Sequence, residues 1–570
     1  MGDAAARLTA SQALDRFFEA CYRRRPVTAT FTGVHQYDHQ LPDWSPEGLA
    51  SAVAEMRNLR GVLDAAGRVP DEHVRSFPDE VDLALADAFL DIQIAEHEGS
   101  HFYRSNPSLW TGEAIFSVVS LVTRSFGPLP ERLDAAAARM AAIPAFLTDA
   151  RRTLVAAPRA WIDKALRECD AAEILFGRSL PAWIREESTS RNTVGGDSQS
   201  AAAGVARQGF RTFRQWLEHD LPVTAPGQER AGRALLSLLL RRGHWCPTPI
   251  DALLDEARVA LDESHQALDA RVRQAGVASW TEAQARLAAL RPTADDYLSR
   301  FERTWRRCRE AVDTADLVTW PDRPIRYVPI PAHTREAAPL LYYLFYRSPA
   351  AFDRLPVHDY VVAPIDGLPA DEVERRLIAA NDSAILLNHV VHHGGLGHHV
   401  QNAHAYASTS RVGQVAAIDA ASRIAMFSGG TMAEGWACYA CDLAEEIGLL
   451  TPLEQAAQQH TRVRLAARAV ADLALHIGEM TLDDAARFYE ARGLMPSATA
   501  RAEAVKNAMF PGAAVMYWLG TREIHRLRAA VRSHEGHAFS LKTFHDTFLD
   551  HGAIPVPLIA RLMAPTGASR

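Results

Sequence analysis

Five of the chain's 23 histidines fall within fourteen residues, Asn388-His389-Val390-Val391-His392-His393-Gly394-Gly395-Leu396-Gly397-His398-His399-Val400-Gln401. Neutral imidazole is a common metal ligand, so a run this dense reads first as a metal site; a solvated helix face is the ordinary alternative. Spacing narrows the choice. On an unbroken helix His392 and His398 are rotated apart by about 120° and displaced by about 9 Å, too far to share one ion. Gly394, Gly395 and Gly397 supply the break that lets one turn fold back on the next. His389 and His393 have the i,i+4 spacing of the helical zinc motif, but Val390 occupies the place of that motif's glutamate, and this pairing ranks second.

The same run resembles the His-Glu-x-x-Pro-Gly-His-His-Leu-Gln signature of the bacterial domain-of-unknown-function 885 family, a zincin-like group regarded as metallopeptidase relatives. The likeness continues in Glu434-Gly435-Trp436-Ala437-Cys438-Tyr439-Ala440, similar to the family's Glu-Gly-Trp-Ala-Leu-Tyr-Ala-Glu. It extends through Arg468, Asp472 and His476 to Pro511-Gly512, Tyr517 and Leu519-Gly520, and ends in Phe544-His545-Asp546 with Gly552-Ala553-Ile554-Pro555. Weaker likeness at Tyr37-Asp38, Ser45 and Asn106-Pro107 carries it over nearly the whole chain. The departures are specific. His393 stands where the family has the glutamate of His-Glu, and Leu396 where it has proline; Cys441, Ala513 and Trp518 replace Glu, Gln and Lys.

The resemblance implies a mainly α, zincin-like fold, a large helical domain with a small β-sheet beside the metal-site helix. It implies one divalent ion, zinc first and iron or manganese next, held by His392, His398 and Glu434 with a fourth position open to water. His393 would then occupy the general-base position, and a neutral imidazole is a competent base near pH 7. Tyr517 would donate to an oxyanion. His476 with Asp472 has the i,i+4 spacing of an orienting pair or proton donor, and Arg468 one turn earlier could hold a substrate carboxylate. Two neutral histidines, one glutamate and a divalent ion sum to +1, which favours an anionic substrate.

These residues lead to an expected function: hydrolysis of an amide or peptide-like bond in a small-molecule or short peptide substrate. Two alternatives stand beside it. One is a non-hydrolytic metalloenzyme, such as a lyase, a cyclase or an oxygen-dependent step in specialised metabolism. The other is a pseudo-peptidase that binds without cutting.

Composition sets the outer bounds. At 570 residues with a net charge of −8 and a pI near 6.3, the chain has ample length for a core and no basic footprint for nucleic acid or an acidic membrane surface. No apolar run reaches the roughly 18 residues of a membrane span, and Met1-Gly2-Asp3-Ala4 does not open a leader, so a cytoplasmic protein is expected. Cys438 and Cys441 share a helix face and read as packing residues.

Periodicity then gives the elements. Leu14, Phe17, Phe18 and Cys21 behind Thr9 and Ser11 predict a first helix ended by Pro26, and Ser45 is placed to cap a helix over 47–66. A helix is expected around Val81–Ile94, and two more over 131–142 and 145–156 are split by Pro144. Residues 187–204 are rich in turn formers and predict a long loop. Helices follow at 205–219, 228–241, 249–274, 281–289 and 293–313. Leu317–Trp320, Ile325–Ile330 and His358–Ala363 alternate and are β-branched, predicting a small sheet. Further helices are expected at 412–427, 431–447, 452–477, 481–492, 497–509 and 512–533. The organisation expected is a helical region over 1–315 and a metal-site region over 316–570, with the active centre in a cleft between the 385–405 and 431–447 helices.

Overall fold

Helix caps account for much of the architecture of the computed structural model, which describes residues 8–67, 77–191, 196–335, 350–353, 355, 357–416 and 429–563. Thr9 accepts from the Gln12 N–H while Gln12 reaches back to Thr9, a reciprocal cap that starts the Ala10–Arg24 helix. Ser45 Oγ accepts from the Gly48 N–H at the head of Pro46–Gly67, and Thr451 caps Pro452–Ile477 in the same reciprocal way through Glu454. Helix dominates throughout, with a single two-stranded parallel sheet among the described residues.

The chain divides into two units, Met1–Glu229 with Ile330–Leu355, and Arg230–Pro329 with Pro356–Arg570. The boundary between the units lies at 229–230: Tyr297–Thr314 packs on Ile385–Gly394, and Ile250–Gln274 on Pro452–Ile477. In the first unit the helices Pro107–Val122, Leu129–Thr153 and Arg159–Ile174 surround the buried rings of Trp110 and Trp161. Two expectations fail here. Pro144 lies inside one continuous helix, Leu129–Thr153, because Ile143, Phe146 and Leu147 are buried around it and Gly209 of the facing helix leaves its ring room. Most of the expected 187–204 loop is helical, in Leu180–Arg191 and Gly196–His219; residues 192–195 lie outside the described residues. Small residues there pack: Ala203 and Ala206 are buried, and Gln199 donates to Asp134 at 2.9 Å, so tertiary contact overrides local preference.

In the second unit Ile325–Pro329 pairs in parallel with His358–Val362, setting Tyr327 opposite Tyr360. Leu317–Trp320, expected as a third strand, is not one. Its backbone is spent on the Leu541–Asp550 helix: His545 Nδ1–H donates to the Leu317 carbonyl at 2.7 Å, and the Thr319 N–H donates to Asp546 at 2.7 Å. The helix expected over 412–427 is described only as Arg411–Val415, and 417–428 lie outside the described residues. The remaining expected helices are found with small shifts of their ends.

Burial of histidines gives a pH prediction. His244, His476 and His545 are fully buried, and burial pushes each down to about 4. Their folded values lie below the ordinary 6.5, so on acidification the unfolded chain takes up protons first. Their stabilisation, up to ~3 kcal/mol each, is present above pH 6.5 and lost as pH falls toward 4. A series of thermal melts should give a plateau above pH 7 and a steep fall between 6.5 and 4; a flat profile down to pH 4 would contradict it.

Candidate metal centre

The helix entering the site is wound as a π-helix over Ile385–Gly394, stops, and restarts as His398–Ala407. Glycine makes the stop possible. A Cβ on Gly397 would lie 1.9 Å from the His392 carbonyl oxygen, a contact no side chain allows. Two indoles fix the turn: Trp305 Nε1–H donates to the Gly394 carbonyl at 2.9 Å, and Trp436 Nε1–H to the Leu396 carbonyl at 2.8 Å. Gly397→Ala should therefore push the two imidazoles apart at a cost of ~1–3 kcal/mol in stability, read as a lowered denaturation midpoint; an unchanged midpoint would contradict that.

Across this break the His392 and His398 rings lie 4.9 Å apart at 88°. Glu434, in the second turn of Gly430–Glu446, reaches between them, and its Oε2 is 3.5 Å from Nε2 of each. That separation exceeds an ordinary N–H···O bond. It matches the edge of a tetrahedron whose ligands sit about 2.0–2.1 Å from a central ion, which is about 3.4 Å. The donor set and its spacing thus fit a divalent ion. Electrostatics agree: burial holds His392 below its ordinary value, and Glu434, which burial alone would raise, is held well below the carboxylate range by the two imidazoles. Both groups are in their metal-ligating forms at neutral pH.

His393 belongs to the same cluster, one ring nitrogen of each of His392, His393 and His398 lying within 4.8 Å of the others. Its Nδ1–H donates to the Asn388 carbonyl at 2.7 Å, leaving Nε2 as the basic nitrogen. Burial, and next the two neighbouring imidazoles, push it well below 6.5. His389 faces elsewhere, its Nδ1 against the Tyr360 hydroxyl at 2.7 Å, so the second-ranked pairing of His389 with His393 is not formed. Tyr517, half-buried on Val515–Glu535, is within electrostatic reach of Glu434. Burial, then Glu434, raises its phenol well above 10, and the hydroxyl has no hydrogen-bond partner among the described residues, so it is a donor at neutral pH. The close approach of Gly435 to Gly520 lets these two helices meet.

Three expected roles do not survive. Arg468 is spent inside the protein: Nε and Nη2 donate to both oxygens of Glu503 at 2.7 and 3.1 Å, and the guanidinium lies 5.3 Å from the centre of the Tyr517 ring. It braces Tyr517 and is not presented to a substrate carboxylate. His476 accepts the Ala231 N–H at Nδ1 and donates from Nε2 to the Asn507 carbonyl, each at 3.0 Å. Asp472 accepts the N–H groups of Gly512, Ala514 and Val515 at 2.9–3.0 Å and so caps the helix that carries Tyr517; burial raises its carboxyl to about 7 despite these bonds. Both are structural, and neither is a proton donor to the site. Glu503 has no signal in the sequence beyond its place on the helix expected over 497–509.

A family model of bacterial proteins of unknown function, DUF885, matches residues 26–563. The chain belongs to the DUF885 family. Two solved structures share its fold. One, described as a candidate lipoprotein of unknown function from Shewanella oneidensis, is 20% identical and superposes with a TM-score of 0.75 over 98% of this chain and 100% of that one. The other, described as a candidate lipoprotein from Colwellia psychrerythraea, is 16% identical, with a TM-score of 0.74 over 97% and 98% of the two chains. No curated protein sequence matches this DUF885 chain. These two structures correct the expected cytoplasmic location: both are described as lipoproteins, so a globular sequence without a spanning segment does not place this member in the cytoplasm. No helix among its described residues is long and apolar enough to cross a membrane.

Proposed function

We propose that this DUF885 protein is a zincin-like, metal-dependent hydrolase that cuts an amide or peptide-like bond in a small anionic substrate. The reading rests on one observation above all: a single Glu434 oxygen equidistant, at 3.5 Å, from Nε2 of His392 and of His398. A divalent ion held by these residues, zinc first, would supply Lewis acidity and bring the pKa of a water to about 7. His393 Nε2 takes the proton of the attacking water while Asn388 holds the ring through Nδ1. As the water oxygen bonds to the carbonyl carbon, the Tyr517 hydroxyl donates to the developing oxyanion, with the phenol braced by Arg468. The C–N bond then breaks, and His393 returns its proton to the departing amine. Screening the zinc-loaded protein against a library of short peptides and N-acylated amino acids tests this; the reading fails if no amide bond is cut by wild type while His392→Ala and wild type behave alike.

One observation favours a second reading, a non-hydrolytic metalloenzyme using iron or manganese. A histidine at 393 stands where the motif this run resembles has a glutamate, and a cation beside an imidazole disfavours its protonation and so weakens it as a proton acceptor. If His393→Glu creates strong peptidase activity where wild type has little, the natural protein has left hydrolysis.

A further inference from the structure

His393 has the surroundings of a ligand as much as those of a base. Its ring centre lies 4.6 Å from that of His392 and 5.4 Å from that of His398, against 4.9 Å between those two. One ring nitrogen of each of the three lies within 4.8 Å of the others. The centre of a triangle with sides of that length is about 2.8 Å from each corner, so the three nitrogens need draw in by no more than about 0.8 Å to reach the length of an imidazole–zinc bond.

The far side of the ring agrees. A histidine that holds a metal nearly always donates its other N–H to a carboxylate or a backbone carbonyl, which fixes its tautomer and the plane of its ring. His393 does this: Nδ1–H donates to the Asn388 carbonyl at 2.7 Å, leaving Nε2 for the cluster. Asn388 is five residues back, the spacing of the π-winding over Ile385–Gly394, so the irregular turn that carries His392 also sets the neighbouring ring. A neutral fourth donor leaves the formal charge of the site at +1. It can withdraw from a cation without separating opposite charges, which a glutamate at this position could not.

We propose that His393 is a displaceable fourth donor to the cation held by His392, His398 and Glu434, closing that site to solvent and small anions until substrate arrives. The inference rests on the metal reading of the site and adds regulation to the hydrolase reading: His393 is available as a base only once it has left the cation. A donor that comes and goes adds closure and little affinity, so it does not stand in for a lost His392 or His398.

The test reads anion binding in place of turnover. Full-length wild type, His393→Ala and His393→Gln are stripped with a chelator, loaded with cobalt(II) and titrated with azide, whose binding is read from the visible spectrum of the ion. A tethered imidazole competes with azide as an intramolecular ligand, so both variants should bind azide at least about tenfold more tightly than wild type. His393→Gln keeps an amide N–H for the Asn388 carbonyl, so a gain in that variant reports loss of a donor and not loss of the turn. Either variant binding azide no more tightly than wild type overturns the proposal, as does a variant that is folded by circular dichroism and cannot hold cobalt. Wild type that takes up no cobalt refutes the metal reading itself; wild type that takes up one cobalt per chain and binds azide as readily as the variants leaves the metal site standing and removes the fourth donor.

Discussion

His398→Ala should empty the metal site. In the proposed site the imidazole would supply one of three donors, and the other two cannot redistribute, because His392 is fixed by the π-wound turn and Glu434 by its own helix. Removing an outer partner of a ligand costs about 10–100-fold in affinity, and removing a ligand should cost more. Metal content by elemental analysis is expected to fall from about one ion per chain to near none, and any hydrolysis with it. Unfolding is the competing explanation for such a loss. A circular-dichroism spectrum and a thermal melt of the variant separate the two, both matching metal-free wild type if the fold is intact.

His393→Ala should abolish turnover and spare the metal. Loss of a positioned base costs about 10²–10⁴-fold in rate, the second largest effect expected. The sign of the pH dependence follows from its environment: burial and two adjacent imidazoles hold His393 well below 6.5, so the neutral, proton-accepting form persists through neutral pH. The acid limb of kcat/KM should therefore lie below 6.5, activity falling as pH drops through it and staying level from 6.5 to 8. A variant that keeps its rate, or an acid limb centred above 7, would remove His393 from the role.

How much of this could be read from the chain depends on whether the cause is local. The break at Gly394–Gly397 is local, since glycine spacing and helical rotation together require two histidines six apart to meet only across a disrupted turn, and the rings do meet. The caps at Thr9, Ser45 and Thr451 are local too. Roles set by a distant partner were not legible. Arg468 and the Asp472–His476 pair have the spacing of functional residues, and the groups that engage them, Glu503 and the N–H groups of 512–515, come from other helices. Leu317–Trp320 alternates like a strand, but the side chains of His545 and Asp546 take its hydrogen bonds. Pro144 reads as a break until the facing Gly209 is seen to make room for it.

The central claim is that His392, His398 and Glu434 close on one cation. Protein purified with added zinc, crystallised and measured on both sides of the zinc absorption edge tests it most directly. A single anomalous peak bounded by those three side chains is the expected result. Full-length, folded protein with no peak there, or with its zinc elsewhere, would contradict the claim.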